Sequence, residues 1–464
     1  MADLRDFESD LKKMLTRLER KAVFSEVLGQ RIVGDGVRIN QRETTPSTRP
    51  RLHGAAIRAW SGSRWVESAT SDFGPMGCVA AVEGIERGLQ SDQSRGPPPG
   101  PSATGVQEMM TRPAHPVPDL GLEGMISLGR DVLGWATQVP GVQDAEIQLG
   151  WDDEERLYLN SVGARCYQRR TRVRAGVAPI AIENGNVQYD FLARGATGGR
   201  EVFDFLSEAG VKTAAEDSLA LLKAGTPPAG EMAVLLDPGV AGTFAHESFG
   251  HGTEADQFVR DRSYLKPVLG SMVGPEILTI VDNGALPTGW GSIYFDDEGN
   301  PGQRTALVEK GRFVGALHDR ETAAILHARP TGNTRRSDFL SRPFVRMTNT
   351  YTEPGDWTLD ELLAEMKDGI LLEHATSGIE DPLGGQMQLK VKKGHRVEHG
   401  ERSGLVSSMA LSGKVLDFLK AIRGVSQASD FRIEPGFCGK GHTDYIPAGT
   451  GGTYLLSRAV VGPG

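Results

Sequence analysis

Cysteine is scarce in this chain, with 3 among 464 residues: Cys78, Cys166 and Cys438. An odd number of widely separated thiols argues against a disulfide framework and fits a reducing cytoplasm. Long apolar runs are missing too, so nothing in the sequence is read as a membrane-spanning helix. The first residues, Met1 to Lys21, set Leu4, Phe7, Leu11, Leu15 and Leu18 three or four apart among charges. That spacing predicts an amphipathic helix rather than a signal peptide. A surplus of positive charge is also absent. With 51 Lys and Arg against 60 Asp and Glu, the net charge is −9. Nucleic acid is therefore not expected as a partner, because neutralising phosphates takes clustered cations. The one basic run, Arg165 to Arg174, reads as a solvated strand face.

What is present is a chain long enough for more than one domain. Strand-like segments fill Val23 to Val66, broken by a polar loop at 41–51, and Ala56 to Ser68 reads as a β-hairpin. Met76 to Leu89, Ile126 to Val139 and Ala214 to Ala224 have helical periodicity, and Val142 to Ala181 alternates as antiparallel strands do. The Pro/Gly-rich stretch 94–105 is expected to be a loop, and the glycine-rich Arg194 to Arg200 a turn. Gly225-Thr226-Pro227-Pro228-Ala229-Gly230 is the best boundary. The expected fold class is α+β, with a mixed α/β domain over 1–225 followed by a β-rich domain over 230–464.

The chemistry concentrates in His246-Glu247-Ser248-Phe249-Gly250-His251. Two imidazoles and a carboxylate in so short a stretch can supply metal ligands and a base. Histidines four apart lie about 40° apart round a helix and reach one ion, whereas five apart they lie about 140° apart. A shared ion therefore demands that the backbone leave the regular helix. Val240 to Phe249 has helical spacing, and Gly250 and Gly252 flank His251. A π-type bulge, or a helix end near Gly250, would bring the rings together.

Two histidines leave a metal short of ligands, since a catalytic zinc commonly takes three protein donors. Cys438, in the glycine-flanked Pro435 to Gly441, is the leading candidate. Glu254, Asp256 and His442 compete with it.

Several blocks together resemble the TldD branch of the TldD/PmbA metallopeptidase family. They are Leu236 to Asp256, Asp296 to Gln303, Pro330 to Asn333, Met347 to Tyr351 with Pro354-Gly355, and Cys438 to Lys440 followed by Pro447 to Gly451. The resemblance covers most of Leu235 to Gly452 and is looser in the N-terminal half. It implies a metal, usually zinc with iron as the alternative, held by His246, His251 and Cys438, with Glu247 as general base. It implies a peptidase acting on small or unfolded peptides such as leaders or precursors, threaded as an extended strand against a sheet edge. A peptide-like small molecule in a natural-product pathway, or a non-catalytic partner subunit, are the alternatives. It further implies a dimer, either a homodimer or a pair with a PmbA/TldE-like chain.

The remaining blocks carry weaker expectations. Asp296, Asp297 and Glu298 read either as a turn with solvated charges or as supports for a ligating histidine. Asn333, Arg335 and Arg336 are candidate anchors for a peptide carboxylate. Gly384 and Gly385 are candidates for close approach of a substrate strand, or a bulge. Asn349 is expected in a strand.

Overall fold

The computed structural model describes residues 3–47, 52–89, 96, 98–100, 102–440 and 444–464. His442 and parts of the 41–51 and 94–105 loops lie outside the described residues.

The N-terminal half is built on long antiparallel strands. Phe24–Ile39 pairs with both Leu52–Trp60 and Val142–Asn160, and Val142–Asn160 pairs along its length with Arg165–Glu183. The hairpin Leu52–Trp60 to Trp65–Thr70 forms one side of the sheet, with Trp60 opposite Trp65. Two apolar clusters sit on this sheet. One packs Leu11, Leu15 and Leu18 of helix Glu8–Leu18 and Val82 and Ile85 of helix Pro75–Leu89 against Val27 and Ile57. The other packs Met125 and Val132 of helix Gly121–Thr137 and Val211 of helix Glu208–Leu221 against Ile147, Val173 and Val177. The glycine-rich Arg194 to Arg200 is not simply a turn. Leu192–Thr197 adds as a strand to Arg165–Glu183, and only Gly198-Gly199 bends.

Between the two clusters the strands carry charge where a core would carry methyl groups. Arg170 and Arg172 are 2% and 3% exposed, so the basic run is not a solvated face. Arg170 Nη2 and Arg172 Nη2 lie 2.6 and 2.7 Å from Glu154 Oε2, and Arg172 Nη1 lies 2.9 Å from Asp152. Burial alone would raise the Glu154 carboxyl, but Arg156, Arg170 and Arg172 outweigh it and hold it well below the usual range.

Asp296, Asp297 and Glu298 complete this network from the C-terminal half. They are buried rather than solvated, and none of them hydrogen-bonds a histidine among the described residues. Asp297 pairs with Arg156, Glu298 lies 2.5 Å from Arg58 Nη2, and Asp296 accepts from the Asn300 and Thr334 amides at 2.9 and 3.1 Å. Arg320 Nη2 reaches back to Glu26 at 2.7 Å. The acidic turn is thus a clasp between the halves. Arg156→Met should cost about 3–5 kcal/mol, because it leaves buried Glu154 and Asp297 short of a counter-charge. Urea denaturation at neutral pH measures this, and a change below about 1 kcal/mol would contradict the clasp.

The C-terminal half is β-rich, as expected. Gly230–Leu236, Gly369–Glu380, Gln386–Glu398, Glu401–Lys414 and Leu455–Pro463 close into a ring, because Gly230–Leu236 pairs with both its first and last neighbours. A second sheet orders Arg312–Phe313, Arg304–Glu309, Ile280–Asn283, Asn349–Thr352, Asp444–Gly452 and Arg432–Lys440, with Arg432–Lys440 at its edge. Asn349 is a strand residue. Helix Pro238–Ala245 lies against both sheets, and its residues Val240, Phe244 and Ala245, with Phe249 beyond it, are buried in the main core. Phe244 packs on Phe418 at 4.3 Å between ring centroids, and Phe249 edge-on to Phe313 at 5.3 Å. Among the described residues no helix is long and apolar enough to cross a membrane.

Candidate metal centre

The helix that carries the histidines starts cleanly. Asp237 caps it by accepting from the Val240 amide at 2.7 Å, and Pro238 takes the first turn, where no amide donor is needed. Its regular part ends at Ala245. Over His246–Gly250 the backbone winds as a π-helix, and the His251 N–H donates to the His246 carbonyl. The extra residue in the turn removes the angular mismatch of the five-residue spacing. The two imidazoles stand 5.2 Å apart between centroids, with their planes at 84°. A 3-10 turn, His251–Thr253, ends the segment.

Gly250 is needed here for room. A Cβ at this position would overlap Met347 Sδ. Gly250→Ala should therefore cost about 1–3 kcal/mol by overpacking and weaken metal binding as the π turn shifts. Denaturant midpoint and a metal titration read the two effects, and an unchanged pair would show that the turn does not depend on this contact.

Cys438 arrives from the edge strand Arg432–Lys440. Its Sγ lies 3.4 Å from His251 Nε2, and the donor atoms of His246, His251 and Cys438 all lie within 4.8 Å of one another. A tetrahedral zinc, with donors at about 2.0–2.3 Å, holds them about 3.5 Å apart, so the trio needs only small closure. Of the competing donors, the two acids Glu254 and Asp256 are engaged by a lysine. Lys440 Nζ donates to Glu254 and Asp256 at 2.9 Å each and to the Val345 carbonyl at 3.0 Å.

The surroundings orient the trio. Glu254, fixed by Lys440, puts its Oε2 3.6 Å from His251 Nδ1, which leaves Nε2 turned toward Cys438. Arg346 Nη2 donates to the Cys438 carbonyl at 2.5 Å and so pins the strand. His246 is buried, and its Nδ1 has no hydrogen-bond partner among the described residues. A buried nitrogen in that condition is uncommon unless a ligand uses it. Burial alone would push the Cys438 thiol up, but the charges of His251 and His246 hold it well below its usual range. Burial would likewise lower His251, but Cys438 and Glu254 raise it. The arrangement favours a thiolate, the form in which cysteine binds metals.

Glu247 is less buried than its neighbours in the turn and faces a cavity of about 530 Å³ that the three donors also line. It makes no hydrogen bond or ion pair among the described residues. Gly378 passes so close that a Cβ would overlap Glu247 Cγ. Glu380 and Lys440 also line this cavity. Burial pushes the Glu380 carboxyl up to about 8 against the pull of His251. Lys440 was visible in the sequence only as the end of the Cys438 to Lys440 block, and nothing in the sequence marked Glu380.

Asn333, Arg335, Gly384 and Gly385 do not line the cavity. Asn333 Nδ2 donates to Asp282 and to the Arg346 carbonyl, both at 2.9 Å, and Arg335 Nη1 to the Met347 carbonyl at 2.6 Å. Arg336 Nη1 bonds Glu67 at 2.7 Å. These side chains brace the strands behind the centre. Gly384 and Gly385 form the turn after Gly369–Glu380, where their amides donate to Asp381 at 3.0 and 2.8 Å.

Comparison with known proteins gives this geometry a context. The PmbA/TldA metallopeptidase C-terminal domain matches residues 229–460, and the central domain of the same family matches 115–222. A metalloprotease of Methanocaldococcus jannaschii is 36% identical over 307 residues, covering 66% of this chain and 67% of that one. A metalloprotease of Methanothermobacter thermautotrophicus is 35% identical over 366 residues, covering 78% and 79%. A zinc metalloprotease TldD homolog of Saccharolobus solfataricus is 36% identical over 236 residues, covering 50% and 52%. The crystal structure of TldE from Thermococcus kodakarensis superposes with a TM-score of 0.76 at 19% identity, over 98% of this chain and 100% of that one, which speaks to the fold. On this evidence the chain belongs to the PmbA/TldD family of metallopeptidases.

Proposed function

We propose that the protein is a metal-dependent peptidase of the active, His-Glu-bearing branch, with His246, His251 and Cys438 as ligands and Glu247 as general base. The observation that carries the reading is the π turn, which converts a spacing unsuited to one ion into converging donors with Glu247 beside them. The donor set suits zinc, the metal in the name of the Saccharolobus relative, and also admits iron. A bound divalent ion supplies Lewis acidity at the scissile carbonyl and acidifies water. Glu247 then accepts the proton from the attacking water and returns it to the leaving amine. Glu254, 3.6 Å from His251 Nδ1, lies where it can orient that ring, and Arg346 holds the Cys438 backbone in place.

The cavity suits an extended peptide. Strand Gly369–Glu380 pairs with Gly230–Leu236 only at Ile370–Leu372. Beyond that its edge on this side has no strand partner among the described residues, and Gly378 to Glu380 line the cavity. A substrate backbone can pair there, which favours small or unfolded peptides, such as leaders or precursors, over folded proteins. Ile379 and Leu383, 66% and 65% exposed, lie at or beside this edge and would be covered in a dimer, with a second copy or with a TldE-like chain. Three free cysteines, one of them needed as a thiolate, suit a reducing cytoplasm.

A cleavage screen over short and unfolded peptides, with the metal-loaded protein alone and with a TldE-like partner, tests this reading. Hydrolysis abolished by chelation and restored by zinc or iron is expected. No cleavage in any combination would overturn it.

A further inference from the structure

Phe437, the residue before Cys438, lines two cavities. One is the metal cavity. The other is a groove of about 330 Å³ between the edge strand Arg432–Lys440 and the N-terminal strands Arg165–Glu183 and Leu192–Thr197. Phe437 is 45% exposed yet held on two sides. Trp290 meets it edge-on at 5.8 Å and 82°, and Arg174 Cζ lies 5.5 Å from its ring centroid. Trp290 is itself anchored, donating from Nε1 to the Gly436 carbonyl at 2.9 Å. An exposed aromatic wall fixed in this way is preorganised for contact, because little side-chain freedom is lost when something packs on it.

The groove is predominantly apolar, with Val177, Leu192, Ala193, Trp290, Pro435 and Phe437 among its walls. The charges at its rim are already engaged: Glu146 by Arg38, Arg194 against Phe205, and Arg174 against Phe437. Gly195 makes the groove possible. A Cβ there would stand 2.7 Å from Pro435 Cβ and 3.0 Å from Trp290 Cε3, so only glycine lets the N-terminal sheet seat against this wall. One glycine of the Arg194 to Gly199 segment, which the metal chemistry leaves without a role, is thereby explained.

We propose that this groove is a substrate subsite that takes an apolar, preferentially aromatic, side chain of the peptide whose backbone crosses the metal cavity. The proposal rests on the peptidase reading and adds a specificity determinant supplied by the N-terminal half. Its reach is consistent with that. Pro435 is three residues from Cys438, about 10 Å along a strand. The occupying side chain therefore belongs to a residue a few positions from the scissile bond.

The test uses blocked alanine-based hexapeptides in which one phenylalanine is moved through every position. Binding is measured to the metal-loaded Glu247→Ala full-length protein, and cleavage to the metal-loaded wild type. One phenylalanine position should bind and be cleaved at least about tenfold better than the all-alanine peptide. Ala193→Trp, on the exposed side of the groove, should remove that preference, bringing the best phenylalanine peptide down to the level of the all-alanine peptide. The same loss should appear for binding when Ala193→Trp is added to Glu247→Ala. Cleavage with no positional preference, or a preference that survives Ala193→Trp, would overturn the subsite while leaving the peptidase reading intact. A positional binding preference with no cleavage, alone or with a TldE-like partner, would sustain the groove and overturn the peptidase.

Discussion

Glu247→Gln should keep its metal and lose peptide hydrolysis by about two to four orders of magnitude, the contribution typical of a positioned general base. The substitution preserves shape and removes only the ability to take a proton. Glu247 is not among the converging donors, so metal content should stay at the wild-type stoichiometry. The effect should also fall on kcat more than on KM, because the proton moves in the transition state and not on binding. Metal analysis alongside peptide kinetics makes the measurement. Loss of metal together with activity would make Glu247 a ligand, and near-full activity would remove it from the chemistry.

Cys438→Ala should have the other large effect, on the metal itself. Cys438 supplies the only sulfur of the trio, and its removal leaves two imidazoles in a cavity whose carboxylates Glu254 and Asp256 are tied to Lys440. The loss in affinity should exceed the 10–100-fold that removal of a supporting hydrogen bond typically costs. Folding stability reports it independently. Metal present at about a thousand times its Kd adds about 4 kcal/mol to the native state. Wild type should therefore melt several degrees higher with zinc than with chelator, and Cys438→Ala should show little difference. A variant with an undiminished zinc-dependent shift would point to a different third donor.

How far the sequence alone led differs from residue to residue. The departure from a regular helix at Gly250 was legible, because helix geometry turns a five-residue spacing into a conflict that only a bulge resolves. Cys438 was legible as a candidate through its residue type and turn, and the family resemblance singled it out; what the sequence did not show is that Lys440 ties up the competing acids Glu254 and Asp256. The long strands and the helices of the N-terminal half followed from periodicity, while the C-terminal half, Val240 to Phe249 apart, was read only as rich in strands. The charged runs did not. Arg165 to Arg174 and Asp296 to Glu298 each look solvated in isolation. Arg170, Arg172, Asp297 and Glu298 are buried because they face opposite charges from other strands and turns, as Arg156 and Asp297 do across 141 residues. No local pattern encodes such a partner. Asn333 and Arg335 mislead in the same way: polar residues beside a site read as ligand contacts, whereas here their donors brace main-chain carbonyls and Asp282. Gly195 shows the converse, since its value lies in the Pro435 and Trp290 atoms it admits, and neither is near it in sequence.

X-ray absorption on the metal-loaded protein reads the ligand set itself. Two imidazole nitrogens at about 2.0–2.1 Å and one sulfur at about 2.3 Å from a zinc ion are expected, with the sulfur shell absent in Cys438→Ala. A spectrum of oxygen and nitrogen donors alone, or one unchanged by that substitution, would contradict the assignment of His246, His251 and Cys438.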